Sequence, residues 1–390
     1  MVAGHLQEKK GYYYIILNLT NEEGKRKQKW ISTGLPVKGN KKRAEQRLME
    51  ERQRYDTSRS GARNFWQEIL FADFMEQWLQ VAKNTITAVT YSSYCYSVNR
   101  VIVPYFRRHK ITLQRLQAKD LQDFYQEQLQ RVKASTVLHY HANIHKALQY
   151  AMKMELLVSN PADRIERPRP EKFQGKYYSN EELNALFEAF AGTKLELAVL
   201  LGAFYGLRRS EIVGLKWDAI DFENNTISIR HTVTSCSLEG KTVVIAKDAT
   251  KTKSSRRTLP LVPFFREKLQ KLKAQQEQNQ ELCGDSYNRE YEGYVYVDAL
   301  GDLIRPDYIT SQFPIELRKK GFRRIRFHDL RHSCASLLLN SGVPMKHIQE
   351  WLGHSDFSTT ANIYSHLDYS SKLTSAHAME RNFQLEVEKG

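Results

Sequence analysis

Phe327-His-Asp-Leu-Arg331, followed by Gly353-His354 and then Tyr364, is the stretch on which the reading of this 390-residue chain turns. His328 and Arg331 lie one helical turn apart, and the apolar run Ala335-Ser-Leu-Leu-Leu339 predicts a helix there, so the two side chains are expected on one face. A guanidinium offers a planar fork of donors that suits a phosphate and stays charged at any relevant pH, and an imidazole can donate beside it. Tyr364 is the unexpected member. A phenol with a pKa of about 10 attacks only if one group takes its proton and another stabilises the charge on the centre attacked. A His-x-x-Arg pair is by itself usually a surface pair or a cap, so it gains meaning only with the rest of the chain.

Composition narrows the partner. Lys and Arg number 59 against 44 Asp and Glu, a formal +15, with 41% hydrophobic residues. That balance fits a globular protein whose partner is a polyanion, because neutralising phosphates drives non-specific nucleic-acid affinity. No apolar run approaches the ~20 residues of a spanning helix, so a membrane role is not expected. Cys95, Cys236, Cys283 and Cys334 are far apart, and the N-terminus has no signal-peptide core. Free thiols in a reducing cytoplasm are the expectation. His141-x-x-x-His145 and His328-x-x-x-His332 lack the Glu of a zinc-protease helix and any nearby acidic or thiol set, so no metal and no cofactor is expected.

Outward from the opening stretch, the chain divides by texture into a multidomain α+β protein. Gly11 to Leu19 and Lys25 to Ser32 read as strands around the turn Asn21-Glu-Glu-Gly24, with a third short extended piece nearby, and Lys41 to about Tyr55 reads as a helix. Residues 1–60 carry 14 Lys and Arg against 7 Asp and Glu. Lys25, Arg26, Lys27, Lys29 and Trp30 could lay basic and aromatic side chains into a DNA groove; the bland alternative is a solvated charged face. Thr57 to Arg63 is small and polar, and a linker is expected there. From Asn64 to about Arg167 the spacing of Phe71, Phe74, Trp78, Leu79, then Leu121, Phe124, Tyr125, Leu129, then Ile144, Leu148, Met152 predicts an all-helical unit with these residues as core. Ser135 is the expected N-cap of its last helix, and Asn160-Pro161 the end of the run. Arg107, Arg108 and Lys133 are candidate phosphate contacts on it.

Arg167-Pro-Arg-Pro170 begins an extended connector. Ser179-x-x-Glu182 is a capping box, and Tyr205-Gly-Leu-Arg-Arg-Ser-Glu-Ile212 interrupts an apolar helix and starts another. Strands are expected at 226–234, 242–246 and 257–261, with the basic turn Thr250 to Arg257 between the last two. Helices are expected at 263–278 and 307–320, and Arg323 and Arg324 precede His328 as further DNA-contact candidates. The amphipathic end, Ser371 to Gly390, has apolar residues without an obvious home.

Taken in order, Gly206-Leu-Arg208-Arg-Ser-Glu211, Lys251-Thr, His328-Asp-Leu-Arg331-His, Leu352-Gly-His354 and Tyr364-Ser-His resemble the motif blocks of the tyrosine recombinases, the phage-type integrases, and most of all those of conjugative transposons. The resemblance covers the chain from about residue 66 onward, and the first unit looks like the arm-type DNA-binding domain of that subgroup. It implies an arm-binding sheet and helix at 1–58, a helical core-binding (SAM-like) domain at 64–168, a mainly helical catalytic domain with a small antiparallel sheet at 174–375, and a tail at 376–390 that packs on a neighbouring subunit.

The resemblance also implies roles. Arg208 and Arg331 clamp the non-bridging oxygens of the scissile phosphate, His354 donates to one of them, and Lys251 protonates the leaving 5′-oxygen. His328 assists proton removal from Tyr364, which attacks phosphorus to give a 3′-phosphotyrosine, and Glu211 orients an arginine. Arg209, Lys253 and Tyr369 are the competing neighbours, disfavoured by motif context. The implied partners are duplex DNA at core and arm sites, three further copies of the chain in a tetramer, a directionality factor and a host DNA-bending protein. The alternatives are a topoisomerase-like enzyme and a catalytically silent DNA-binding regulator.

Overall fold

The computed structural model describes residues 3–20, 26–62, 68–171, 177–238, 240–248, 256–353 and 379, excluding the side chains at 19, 20, 26, 27 and 53–62. The chain separates into two compact units: Met1–Ile86 with Ser93–Pro170, and Thr87–Ser92 with Glu171–Gly390.

In the first unit β1 (Ala3–Lys9), β2 (Tyr12–Thr20) and β3 (Arg26–Pro36) form an antiparallel meander, with Ile15 opposite Ile31 and Ile16 opposite Trp30. Its third extended piece is thus the leading strand. Alternation sends Leu6, Ile15, Leu17 and Ile31 to one face, where Leu48 of α1 (Lys41–Ala62) packs on them. The thin apolar stripe of α1 is supplemented by hydrogen bonds: Arg47 donates to the Thr33 carbonyl and Arg52 to that of Gly4. The polar run expected as a linker continues α1 as far as Ala62. It contains no Pro, and one Gly is tolerated inside a helix.

The helices α2 (Phe71–Lys83), α3 (Ala88–Ser97), α4 (Val103–His109), α5 (Ala118–Leu129) and α6 (Ala134–Lys153) follow. Phe71, Phe74, Trp78, Leu79, Leu121, Phe124, Tyr125, Ile144 and Leu148 are buried as expected, whereas Met152 is half-buried and Leu129 is 41% exposed at the end of α5. One boundary differs from the sequence reading. Helix α6 starts at Ala134 with Lys133 in the cap position, so Ser135 lies inside the first turn. It ends at Lys153, before Glu155 at φ +58°, and Asn160 then opens a short 3₁₀ turn by accepting from the Ala162 amide at 3.0 Å.

The second unit begins with α7 (Asn180–Phe190), α8 (Glu196–Phe204) and α9 (Arg209–Val213). The predicted capping box is formed: Ser179 Oγ accepts from the Glu182 amide at 3.2 Å, and Glu182 accepts from the Ser179 amide at 2.8 Å. Strands β4 (Ile220–Asp221), β5 (Thr226–Ile229) and β8 (Arg257–Pro260) make one antiparallel sheet, while β6 (Thr232–Leu238) and β7 (Lys241–Lys247) make a separate hairpin. The single strand expected at 226–234 is broken at Arg230-His231. His231 turns inward there, and its carbonyl lies against Gly214, where any Cβ would come within 2.7 Å.

Helices α10 (Pro263–Cys283), α11 (Pro306–Lys319), α12 (Asp329–Asn340) and α13 (Met345–Leu352) complete the described chain. One core joins α7, α8, the sheet, α10, α11 and Leu330 of α12, and a smaller cluster of Cys334, Ala335, Ile348 and Leu352 locks α13 onto α12. No helix among the described residues is long and apolar enough to cross a membrane.

Candidate active site

Arg208 is placed by the break between α8 and α9. Helix α8 runs out at Phe204, and Gly206 turns the chain with φ +63°, a conformation that costs glycine little. A Cβ on Gly206 would sit 2.3 Å from Leu352 Cδ2, so the turn is also the floor on which α13 rests. Arg208 then stands extended at the N-cap of α9. Glu211, one turn on and 2% exposed, accepts the Arg208 amide on Oε2 at 3.1 Å and Arg208 Nη1 on Oε1 at 2.6 Å. The other terminal nitrogen of Arg208 donates to the Gly353 carbonyl at 3.2 Å.

Arg331 approaches the same spot from α12. It is 2% exposed, and donates to the Gly206 carbonyl at 2.6 Å and the Leu352 carbonyl at 2.5 Å. The two guanidinium groups therefore hang from consecutive carbonyls at the C-terminus of α13, where the helix dipole favours cations. The clamp is asymmetric: one third of the Arg208 side chain is exposed, while Arg331 lies beneath it. Burial and then Arg208 lower Arg331 to about 9, which leaves it charged at neutral pH.

His328 occupies the N-cap position of α12 with helical backbone angles, and its carbonyl accepts the Arg331 amide at 3.2 Å, so the one-turn spacing of the two residues is kept. The helix start is fixed by Asp329, which is 3% exposed and accepts the Arg326 amide at 2.8 Å and Arg326 Nη2 at 2.7 Å. Partial withdrawal from water, then His332, Arg331 and Arg208, lower His328 to about 4 although part of the residue stays exposed. The ring is neutral at physiological pH and can accept a proton.

Burial pushes Glu211 up, but Arg257 and Arg208 outweigh it and hold the carboxyl below its ordinary range. Arg257 donates to Glu211 Oε2 at 3.0 Å, and its side chain is 6% exposed. Sequence reasoning passed over Arg257 as one more cation at the end of a basic turn. The signal lay in strand alternation, since Arg257 and the buried Leu259 face the same side of β8. His231 is likewise unforeseen: Nδ1 lies 2.5 Å from Asp248 Oδ1 and Nε2 3.0 Å from the Tyr294 hydroxyl. Arg256 donates to the Asp248 carbonyl at 2.7 Å, so the residues flanking 249–255 are tied together.

Lys251, His354 and Tyr364 lie outside the described residues, as do Lys25, the side chains of Arg26 and Lys27, and the C-terminal tail apart from Met379. The structure thus brings together Arg208, Glu211 and Arg331, with His328 in their electrostatic reach. Among the DNA-contact candidates, Trp30 is 44% exposed, tilted 6.4 Å from the Tyr14 ring, and capped by Lys9 at 5.2 Å. Lys29 is exposed on the same strand, as is Lys133 before α6. Arg107 bridges Asp73 at 2.7 Å and Glu76 at 2.9 Å, Arg108 pairs with Glu127 at 3.1 Å, and Arg323 pairs with Glu182 at 3.0 Å and lies over the Tyr178 ring. Those three arginines are engaged locally. Arg324, next to Arg323 in the chain, is exposed.

Residues 176–371 match the phage integrase family, and residues 70–129 match the phage integrase N-terminal SAM-like domain. A XerC-like tyrosine recombinase of Caldanaerobacter subterraneus is 27% identical over 344 residues, covering 83% of this chain and 86% of that protein. The ICEBs1 integrase of Bacillus subtilis is 27% identical over 285 residues, 71% of this chain and 73% of that one. The Tn1549 transposon integrase, solved with a circular intermediate DNA, superposes with a TM-score of 0.65 at 15% identity over 80% of this chain and 99% of that one, and so shows the fold. A family match spanning half the chain, over the unit where two buried-to-surface guanidinium groups meet one carboxylate, identifies the protein as a member of the phage integrase family, the tyrosine site-specific recombinases.

Proposed function

We propose that this chain is the integrase of a mobile element, a site-specific recombinase that cuts and rejoins duplex DNA through a 3′-phosphotyrosine. The observation that carries the reading is the convergence of Arg208 and Arg331 on the two carbonyls that immediately precede His354. A phosphodiester held there meets fixed positive charge before any bond changes, and needs no reorganisation to receive it. Neutral His328 takes the phenolic proton of Tyr364 as its oxygen attacks phosphorus. The 5′-oxygen leaves with a proton from Lys251, and Arg208, Arg331 and His354 stabilise the non-bridging oxygens. One P–O bond forms as another breaks, so the covalent intermediate keeps the bond energy, and a 5′-hydroxyl from a second duplex reverses the step without ATP.

Exchange between two duplexes takes four such sites, which supports a tetramer on DNA with the C-terminal tail exchanged between neighbours; the λ integrase tetramer solved on a Holliday junction has a related fold, with a TM-score of 0.57. The exposed Lys9, Lys29 and Trp30 of the N-terminal sheet suit a separate arm-type DNA site. The motif resemblance to the integrases of conjugative transposons favours a conjugative element, with a directionality factor and a DNA-bending protein as partners, and the Tn1549 transposon integrase shares the fold.

A nicked duplex spanning the element's own end junction, recovered from the DNA flanking the gene, tests this. Wild-type protein is expected to form a covalent adduct stable to denaturation, and Tyr364→Phe none. Absence of the adduct with the wild-type chain overturns the proposal.

A further inference from the structure

We infer that Arg257, buried in β8, is a positioning residue that sets the charge of the phosphate clamp by neutralising Glu211; this deepens the recombinase reading and rests on it. The geometry is closed on three sides. Glu211 is 2% exposed and presents one oxygen to Arg208 at 2.6 Å, while the other is shared by the Arg208 amide and Arg257 at 3.0 Å. Arg331 donates to the Gly206 carbonyl two residues before Arg208. A carboxylate buried this deeply needs compensation, and the residue that orients Arg208 would otherwise cancel the charge Arg208 brings.

With Arg257 present, three guanidinium groups and one carboxylate leave two formal positive charges, those of Arg208 and Arg331. The pentacoordinate transition state of a diester carries two negative charges, so the match is one for one. Arg257 is committed to the carboxylate: it donates to Glu211 Oε2 at 3.0 Å, and its backbone is held in the sheet opposite Ile229. It acts on the phosphate through Glu211 and Arg208. Without it, Glu211 draws on Arg208 alone and the clamp falls to a single net charge against a doubly charged transition state.

The test compares Arg257→Gln and Arg257→Lys with wild type on the nicked junction duplex, with either a normal scissile phosphodiester or a methylphosphonate there. Replacing a non-bridging oxygen by methyl removes one negative charge from substrate and transition state alike. Arg257→Gln is expected to slow adduct formation roughly 10- to 100-fold on the phosphodiester, with DNA affinity held within about threefold of wild type. On the methylphosphonate the deficit is expected to shrink to within about threefold, and Arg257→Lys, which keeps the charge, is expected to recover most of the phosphodiester rate.

Cleavage by Arg257→Gln at the wild-type rate, an undiminished deficit on the methylphosphonate, loss of DNA binding in step with cleavage, or a lysine variant as slow as the glutamine variant would each overturn the inference. Failure of the wild-type protein to form any adduct would instead strike the recombinase reading.

Discussion

At the scale of single residues, Gly206 shows how tightly the site is drawn. Its φ of +63° is unfavourable for any residue with a Cβ, and that Cβ would overlap Leu352 at 2.3 Å while touching Cys334 at 3.4 Å and Arg331 at 3.5 Å. Gly206→Ala is expected to destabilise the second unit by about 2 kcal/mol or more, from left-handed strain plus overpacking, and to displace α13 from the arginines. Denaturant unfolding followed by intrinsic fluorescence measures the first effect, and adduct formation the second. A variant as stable and active as wild type would show that the turn has slack. Residues of this kind were half legible in the sequence. The Gly-Leu-Arg block marked Arg208 through resemblance, but nothing in residue order announced that Glu211 would be shared with Arg257, because the partners are separated by 46 positions and meet only through the sheet.

At the scale of elements, α5 and α6 of the helical unit carry a pH dependence of their own, beside that of His328 in the candidate site. His141 is 6% exposed and lies 3.1 Å from the Tyr125 hydroxyl. Burial, then Arg167 and His145, lower it to about 4, against 6.5 in an unfolded chain. Between those values the unfolded state binds the proton and the folded state does not. The stability held above pH 6.5 is therefore lost as the pH falls towards 4, by on the order of 3 kcal/mol for this one group. His141→Gln is expected to flatten the difference in thermal midpoint between pH 7 and pH 4.5. An equally steep acid loss in the variant would assign it to other groups.

Helix and strand locations were largely readable from periodicity, as in the capping box at Ser179 and the aromatic spacing of α2. What escaped were interruptions set by distant contacts. The break at His231 is dictated by Asp248, Tyr294 and Gly214, and the helical course of 57–62 by the absence of a breaker in a stretch whose composition suggested a linker. Ser179→Ala tests a local reading of this kind: losing the cap is expected to cost about 1 kcal/mol with little change in cleavage, measured by equilibrium unfolding.

At the scale of the whole molecule, charge and division of labour are the issue. A chain with a formal +15 concentrates seven of those charges in residues 1–60. If that segment serves a second DNA site, deleting it is expected to leave cleavage at the core junction intact, abolish the footprint at the accessory site, and lessen the salt dependence of overall binding. An unchanged footprint would place arm binding elsewhere.

One last consequence concerns α9. The carboxylate that closes the first turn of this short helix on the Arg208 amide is the same one that grips the Arg208 guanidinium, so local folding and arming of the catalyst are a single event. If Arg208 clamps the phosphate as proposed, a subunit whose α9 frays loses that grip at the same moment, so order in five residues and competence for scission rise and fall together.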